Sequence, residues 1–497
     1  MRIGTATLFG PVLAAVFIEG GGALTQHFFL LSDIGVLGLI VHGAMSVLER
    51  LFAPRSVAVL GASANPAKVG NRIVRFLAPY DARIYPIHPS AQEIEGRPTY
   101  PSLDALPEPV DLIVALVPGD EMVAALRASR RVRAAFLLAI PSGFGEIPGR
   151  ADSQRELVAL ARQRGMRIVG PNVVGVFNVP LGFNPSLIPP LPAAESGVSF
   201  ATQSGGFGMM LWLYAATYAL DVAAFCDVGN TGDITLADVL THFAQDARTR
   251  AVGLFAEAID DGRWREALRA LAARKPVVVA SAGRSAAGRR ASIAHIGREA
   301  GQPLPLADVP PGAYVVETAR DLFNAVKALV RQPAPRGKRI AVLTGTGGFG
   351  VEMCDLCCDH GLTVPPFSAA LQARFTLLPS YAARANPVDF TSAWYRFAEF
   401  YPQAIEAIRA SGEVDAIVAA VTDVATQIPA LAEALAGVAH DPAGRVPVYL
   451  YWASLAAQHE RMRMLERAGI PCYETTLEAI RTVASLASRV PVSTAAT

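Results

Sequence analysis

Hydrophobic residues fall in short, nearly continuous runs from Ser56 onwards, and Gly, Pro or Asn closely follows each run. Between the runs, segments such as NRIVRFLAPY and DEMVAALRASRRV carry apolar residues at the spacing of a helix. Strands that are apolar throughout are typical of a parallel sheet, because helices cover both of its faces. The pattern therefore predicts a doubly wound α/β fold.

Thirteen apolar runs are predicted to form strands, in three groups. The runs are 56–62, 82–89, 110–118, 134–143 and 166–172, then 197–203, 222–229, 250–259 and 275–283, and finally 339–345, 414–423, 446–453 and 470–475. Two proline-rich stretches, PSLIPPLPAAESG and RQPAPRGK, separate the groups. The chain is therefore predicted to hold three α/β domains, at 45–184, 197–330 and 338–490.

The first 44 residues differ from the rest, since their only charged side chains are Arg2, Glu19 and Asp33. The uncharged run at 3–18 is shorter than the ~20 residues that span a bilayer, and a signal peptide would carry more positive charge before it. We interpret 1–44 as an apolar N-terminal extension outside the fold, with a membrane-surface anchor as the alternative.

The amino-acid composition disfavours several classes of protein. The 497 residues contain 44 Lys and Arg against 43 Asp and Glu, a net charge of +1, which disfavours a nucleic-acid partner. Five cysteines are an odd number in a long chain, so a disulfide framework is not expected and a cytoplasmic location fits. Cys354, Cys357 and Cys358 lie on one predicted helix without a second Cys/His cluster nearby, so helical core cysteines are favoured over zinc and no metal site is predicted.

The second and third predicted domains begin with similar sequences. VSFATQSGGFGMM (198–210) matches IAVLTGTGGFGVE (340–352) at an offset of 142 positions, and each copy combines a strand, a Gly-rich turn and the start of a helix. Because each copy opens a domain, duplication explains the match better than chance.

A strand that passes through a glycine turn into a helix leaves unpaired backbone N–H groups and a positive helix end at one point, which suits an anion. Glycine allows the anion to approach the backbone closely. The predicted phosphate-binding residues are Ser204, Gly205, Gly206, Thr346, Gly347 and Gly348. The alternative is that these glycines only let the helix pack tightly on its sheet.

Two nucleotide motifs are incomplete. Gly345, Gly347 and Gly350 satisfy the dinucleotide fingerprint, but no acidic residue follows at the distance that a ribose contact requires. The stretch from Gly283 to Arg290 lacks the Lys and Ser/Thr of a Walker loop. An NAD-dependent oxidoreductase is therefore a disfavoured alternative.

His295 is the histidine most suited to chemistry, because it lies in the small-residue stretch GRRASIAHIG, predicted to be a loop, after the strand at 275–283. A histidine there can carry a phosphoryl group on a ring nitrogen if a carboxylate orients the other nitrogen. Glu257 follows a strand of the same sheet and is the candidate carboxylate. A surface-loop histidine without a role is the alternative.

Together these motifs resemble the NDP-forming acyl-CoA synthetases, the superfamily of succinyl-CoA synthetase, and above all the CoA-binding alpha subunit of ADP-forming acetate–CoA ligases. The resemblance covers about 48–490 and includes SVAVLGASANPAKVGNRI, IVGPNVVGVFN, CDVGNTGDITLADVL and ARANPVDFT. It implies an N-terminal Rossmann-like CoA-binding domain followed by two flavodoxin-like domains of the succinyl-CoA-synthetase type. In this family the helices after the two Gly-rich turns point at one phosphate.

The resemblance also assigns residues to CoA and to the phosphoryl group. CoA is expected at Gly61, Ser63, Lys68, Gly70, Val117, Pro118, Ser142 and Gly143. GRRASIAHIGREAG resembles the phosphohistidine loop, with His295 as the active histidine and Glu257 beside it.

The implied reaction interconverts acyl-CoA, phosphate and ADP with carboxylic acid, CoA and ATP. It passes through an acyl phosphate and then a phosphohistidine, from which the loop delivers the phosphoryl group to ADP. The chain shows no ATP-grasp domain, so ATP, ADP and Mg²⁺ are expected on an ATP-grasp beta subunit, in an oligomer that takes CoA and a small carboxylic acid.

The chain departs from the family pattern at three places, and the altered sequence around His295 supports a different hypothesis. Ala294-His295-Ile296-Gly297 replaces Ser-His-Thr-Gly, GQPLPLADVPPG replaces a helix, and His88-Pro89-Ser90 replaces Asn-Pro-Lys beside CoA. The alternative is therefore a CoA- or acyl-CoA-binding regulatory or scaffold protein that has lost phosphoryl transfer.

Overall fold

The computed structural model describes residues 3–6, 13–20, 23–30, 48–257, 262–296, 308–441, 443–444, 446–453 and 459–488. The chain divides into two compact units, Met1–Glu49 and Arg50–Thr497. The first unit contains an antiparallel sheet of three strands, which are β1 (Ile3–Ala6), β2 (Leu13–Gly20) and β3 (Ala23–Leu30). Strands were not predicted there, because a continuous apolar run does not distinguish strand from helix. A short helix, α1 (Glu49–Phe52), follows in the chain.

The second unit contains three sheets, and the first of them is fully parallel. Its strands are β4 (Ser56–Leu60), β5 (Arg83–Ile87), β8 (Val110–Ala115), β9 (Ala134–Ala139) and β10 (Arg167–Val169), in the order β10-β9-β8-β4-β5. The intervening helices are α2 (Val69–Phe76), α3 (Gly119–Ala128) and α4 (Ala151–Gln163), and β6 (Glu93–Ile94) pairs with β7 (Arg97–Pro98) as a small hairpin.

The next sheet has six strands. These are β11 (Val176–Asn178), β12 (Gly197–Thr202), β13 (Val222–Asp227), β14 (Thr249–Ala256), β15 (Val277–Ser281) and β16 (Ala313–Val316), in the order β11-β13-β12-β14-β15-β16. Only β11 runs antiparallel to its neighbour. The helices are α5 (Gly205–Tyr218), α6 (Leu236–Gln245), α7 (Arg263–Ala272), α8 (Ala286–Ile296) and α9 (Ala319–Arg331).

The last sheet is again fully parallel. Its strands are β17 (Ile340–Thr344), β18 (Val388–Asp389), β19 (Ala416–Val421), β20 (Val448–Trp452) and β21 (Cys472–Tyr473), in the order β18-β17-β19-β20-β21. Its helices are α10 (Gly347–Asp359), α11 (Ala369–Gln372), α12 (Phe397–Ser411), α13 (Pro429–Gly437), α14 (His459–Ala468) and α15 (Thr476–Ala487). Short 3-10 turns occur at Leu103–Ala105, Val179–Leu181, Trp394–Arg396 and Asp423–Gln427.

The predicted α/β class is confirmed, and a strand is found in each of the thirteen predicted runs. Strands such as β12, β17 and β19 are buried along their whole length, as continuous apolar runs in a helix-covered parallel sheet should be. Of the helices in the described part of the chain, none is long and apolar enough to cross a membrane.

A buried ionic cluster joins the six-stranded sheet's helix α9 to the last sheet. Lys327 donates to Glu466 Oε1 at 2.7 Å and to the carbonyl of Cys472, and its side chain is 1% exposed. Arg331 contacts the other oxygen of Glu466 at 2.5 Å. The ammonium also lies 4.0 Å from the ring centre of Tyr218 and 4.6 Å from that of Tyr473. Burial lowers the Lys327 pKa, and the negative charge of Glu466 opposes that shift.

We predict that Lys327→Met destabilises the protein by about 3–5 kcal/mol, because it removes one of the two cations that pair with the buried Glu466 carboxylate. Chemical denaturation at pH 7 measures this loss. The exposed pair Arg155–Asp152 supplies the control, since Arg155→Met should cost less than about 1 kcal/mol. Equal losses for the two variants would contradict a structural role for the buried cluster.

Candidate functional site

The two repeated turns have the same local structure. Thr202 Oγ1 accepts the Ser204 N–H at 2.8 Å and donates to the Ser204 carbonyl at 3.2 Å. Thr344 Oγ1 accepts the Thr346 N–H at 2.9 Å and donates to the Thr346 carbonyl at 3.0 Å. The sequence repeat is therefore a structural repeat, in which a buried strand-end threonine holds the turn before the helix.

Helices α5 and α10 both begin without a side-chain cap. Ser204 and Thr346 occupy the N-cap positions, yet neither side chain accepts a hydrogen bond from the helix, and neither first turn contains an acidic residue. The first N–H groups of a helix take a hydrogen-bond partner from a side chain, from water or from a ligand. Both helix starts therefore keep backbone donors for an anion, as the phosphate prediction requires.

The glycines in each turn serve different purposes. A Cβ at Gly205 would lie 2.7 Å from Val174 Cγ1, and one at Gly347 would lie 2.8 Å from Asp389 Oδ2, so tight packing explains both glycines. A Cβ at Gly206 would meet nothing closer than 3.9 Å, and one at Gly348 would meet nothing within 4 Å. Packing does not require glycine at 206 or 348, and access for an anion gives a reason for it.

The dinucleotide fingerprint has a packing explanation. A Cβ at Gly345 would lie 2.1 Å from the Phe397 ring, and one at Gly350 would lie 3.0 Å from Thr344 Cγ2. With Gly347 against Asp389, packing between protein groups accounts for all three fingerprint glycines, which removes the main support for an NAD site.

An aspartate lies beside the first glycine of each turn. Asp227, at the end of β13, is fully buried; its Oδ2 accepts the Val174 N–H at 2.9 Å and its Oδ1 accepts the Gly229 N–H at 3.0 Å. Burial raises the pKa of Asp227 to about 7, and the negative charge of Glu257 acts in the same direction. Sequence reasoning missed this residue, although its place at a strand end next to a glycine turn was visible.

Glu257 lies at the same edge of the six-stranded sheet as the first turn. Its N–H donates to Gln203 Oε1 at 2.9 Å, and Gln203 directly precedes Ser204. The negative charge of Glu257 also contributes to the raised pKa of Asp227. A role for Glu257 beside a phosphorylated histidine stays a prediction.

His295 belongs to helix α8, so the prediction of a loop over 288–297 was wrong for its described residues, 288–296. Ala and Arg are strong helix formers, and the small residues of this stretch do not oppose a helix. The side chains of 293–296 lie outside the described residues, as do all of 297–307. The contact between His295 and Glu257 and the effect of the prolines at 303–305 therefore stay predictions.

A cleft of about 540 Å³ lies at the carboxyl ends of β4, β5 and β8. Of the residues predicted to bind CoA, Gly61, Lys68 and Val117 line it. Ser63, Gly70, Pro118, Ser142 and Gly143 are not in its lining.

Two of the predicted CoA residues shape this region through packing. Gly70 is glycine because a Cβ there would lie 2.1 Å from the Gly61 carbonyl, and Gly61 itself has a φ of +91°. Both constraints bring the β4 turn and the start of α2 close together beside the cleft.

His88, which the sequence analysis named only as part of the segment that replaces Asn-Pro-Lys, lines the same cleft. Its Nδ1 accepts the Ala91 N–H at 2.9 Å and the Ser90 N–H at 3.2 Å. The proton of the neutral ring must therefore be on Nε2, which makes His88 a fixed hydrogen-bond donor. Together with Lys68, it gives the cleft two donors suited to the phosphates of CoA.

The three neighbouring cysteines lie on α10, as expected for a helical position. Cys357 is buried in the core, and burial raises its pKa to about 12. In the part of the chain that the structure describes, no group of three or more His, Cys, Asp or Glu side chains is arranged to hold a metal ion.

Known proteins share both the sequence and this architecture. A CoA-binding domain family matches residues 55–178, and the succinyl-CoA ligase-like flavodoxin domain family matches 195–329. The alpha subunit of ADP-forming acetate–CoA ligase I of Pyrococcus furiosus is 31% identical over 450 residues, which cover 88% of this chain and 97% of that protein. The alpha subunit of ligase II from the same organism is 30% identical over 438 residues, covering 86% and 94%.

A solved structure agrees with these matches. The dinucleotide-forming acetyl-coenzyme A synthetase 1 of Candidatus Korarchaeum cryptofilum, in complex with phosphate and ADP, aligns with a TM-score of 0.75 at 29% identity over 88% of this chain and 96% of that chain. Fold and sequence thus define an acyl-CoA ligase of the succinyl-CoA-synthetase type. Within that class, the chain belongs to the family of the alpha subunits of ADP-forming acetate–CoA ligases.

We predict that Gly206→Ala and Gly348→Ala each weaken binding of inorganic phosphate at least tenfold without loss of stability. A methyl group enters open space at either position, and alanine stabilises a helix by roughly 0.5–1 kcal/mol relative to glycine. Calorimetric titration and thermal unfolding measure the two effects. The control is Gly437→Ala, which also adds a methyl group in open space on a helix, α13. Unchanged phosphate affinity in both turn variants would rule out this role for the glycines.

We predict that Asp227→Asn removes part of the pH dependence of stability. The folded-state pKa of about 7 lies above the ordinary value of 3.8, so the folded protein retains a proton that the unfolded chain has lost. The wild type should therefore lose stability as the pH rises from about 4 to about 7, and the variant should lose less over the same range. Urea denaturation at several pH values measures this difference, and parallel curves would contradict a buried, proton-binding Asp227.

Proposed function

We propose that this chain is the alpha-type subunit of an ADP-forming acyl-CoA synthetase, which interconverts acyl-CoA, phosphate and ADP with a carboxylic acid, CoA and ATP. The observation that carries the proposal is the pair of matching uncapped helix starts, each with a glycine that packing does not require. They occur in a chain whose first parallel sheet matches a CoA-binding domain and whose relatives are named as ADP-forming acetate–CoA ligase subunits.

The reaction then proceeds in three transfers. A phosphate oxygen attacks the thioester carbonyl, and the CoA thiolate leaves to give an acyl phosphate. A ring nitrogen of His295 attacks the phosphorus, and the carboxylate leaves. Finally, ADP accepts the phosphoryl group from the histidine and becomes ATP. In each transfer, negative charge shifts between the atoms bonded to the reacting phosphorus or carbon. Fixed hydrogen-bond donors near the phosphate therefore stabilise every step.

The described residues have separate tasks in this scheme. The N–H groups at the starts of α5 and α10 hold phosphate oxygens, while Thr202 and Thr344 fix the two turns. Glu257 orients the imidazole of His295 and stabilises its positive charge. Lys68 and His88 bind the phosphates of CoA in the cleft of the first sheet.

We further propose a separate beta subunit with an ATP-grasp domain, which supplies ADP or ATP and Mg²⁺. The support is that the two Pyrococcus furiosus relatives are named as alpha subunits. On this proposal the working enzyme is an oligomer of the two chains, and a small carboxylic acid is its acyl substrate.

A second candidate function is a CoA- or acyl-CoA-binding regulatory protein without phosphoryl transfer. The observation that favours it is the sequence around His295, in which Ala294 and Ile296 provide no hydroxyl groups. We expected a phosphoryl-carrying histidine to lie in a loop, whereas His295 lies in helix α8, which extends to Ile296.

Incubation of the chain and its ATP-grasp partner with γ-³²P-labelled ATP and Mg²⁺ distinguishes the two functions. We predict acid-labile, base-stable label on this chain, its complete loss in His295→Asn, and full labelling in the control His360→Asn. CoA should still bind to both variants, since neither position lines the CoA cleft. Absence of label from the wild type, with CoA bound, would overturn phosphoryl transfer in favour of the regulatory function.

A further inference from the structure

A larger cavity, of about 580 Å³, lies away from all the residues discussed above as ligands of phosphate or CoA. Its lining includes Gly197 and Arg250, at the amino ends of β12 and β14. The phosphate turns follow the carboxyl ends of parallel strands, so this cavity is at the opposite edge of the six-stranded sheet. Alanines of α5 and Leu220 provide an apolar part of the lining.

Four arginines line the cavity, and two of them are already bonded to the protein. Arg331 donates to the carbonyls of Tyr218 and Ala219 at the end of α5, at 2.8 and 3.1 Å. Arg250 donates to the carbonyl of Val330 at the end of α9, at 2.9 Å. These two arginines neutralise the negative ends of two helices, which would otherwise oppose an anion here.

The other two arginines have no such partner. Arg463 and Arg467 lie four positions apart on α14, so their side chains leave the same face of the helix about 6 Å apart. Neither guanidinium makes a hydrogen bond or ion pair with any of the described residues. Two planar donors at this spacing match a ligand with two anionic groups.

The carboxylates in the lining do not balance these charges. Glu466 is fully buried and is held by Lys327 and Arg331, so it is not available to the two arginines. Asp221 is the remaining acid in the lining, and it forms no ion pair with Arg463 or Arg467 within the described chain. The cavity thus combines excess positive charge with an apolar wall.

We propose that this cavity binds a small molecule with two anionic groups, a diphosphate or a dicarboxylate, through Arg463 and Arg467. The occupant lies between α5 and α9 of the six-stranded sheet and α14 of the last sheet, so it bridges the two domains that carry the phosphate turns. The site is independent of the proposed function, because none of its residues takes part in CoA binding or phosphoryl transfer.

Calorimetric titration of the full chain with inorganic pyrophosphate, ADP and succinate tests the proposal. We predict saturable binding of at least one of them that weakens at least tenfold in Arg463→Ala/Arg467→Ala and falls with added salt. The matched control is Arg265→Ala/Arg269→Ala, which removes two arginines at the same spacing from helix α7, outside the cavity, and should leave binding unchanged. Comparison of pyrophosphate and ADP with succinate distinguishes phosphate from carboxylate ligands.

Titration of the same variants with CoA separates this proposal from the proposed function, since CoA affinity should remain unchanged. Absence of binding by all three anions, or equal losses in the two double variants, would overturn the cavity site. Retained anion binding with no CoA binding would instead contradict the proposed function and leave the cavity site standing.

Discussion

The backbone N–H groups at the starts of α5 and α10, which no capping side chain satisfies, are the feature on which the rest of this structure depends. Each helix start is fixed by a buried threonine at the end of a central strand, through hydrogen bonds of the same pattern and nearly the same length. The first N–H groups of a helix need a partner, which a capping side chain, water or a ligand supplies. The same turn is repeated, and each copy has a glycine that packing does not require, so a ligand is favoured at both helix starts, and an anion is the ligand that helix starts favour.

The two sheets whose helices present these donors are held together by buried charge. Lys327 of α9, Glu466 of α14 and Arg331 form an ionic cluster within a hydrophobic core that is continuous across both sheets. Tyr218, at the end of α5, extends this contact, because its hydroxyl donates to Glu474 at 2.7 Å and its ring lies against Lys327. Helix α5 thus has the phosphate turn at one end and the domain contact at the other.

Sequence predicted the parts of the fold that depend on local pattern. Continuous apolar runs located β12, β17 and the other long strands, because both faces of a covered parallel sheet are apolar. The short strands β11 and β18 were missed, since they lie outside the apolar runs and two or three residues carry no periodicity of their own. The pairing of Lys327 with Glu466, 139 positions apart, leaves no local signal in the sequence.

The sequence identified many residues of the candidate site, but it did not show what each residue does there. The glycine turns were identified from sequence, yet only the surrounding atoms show that packing fixes Gly205 and not Gly206. Asp227 and His88 were missed as site residues because their roles depend on burial and on backbone donors that come from elsewhere in the fold. The helix around His295 was mistaken for a loop because small residues are compatible with both.

The most direct test of the account is a phosphate titration followed by NMR of glycine-¹⁵N-labelled protein, in which the amides of Gly206 and Gly348 report on the two helix starts separately. If the two turns bind one anion, as we propose, both amides shift as phosphate is added and the two curves give one dissociation constant. Shifts at neither amide, or at only one of them, would contradict it.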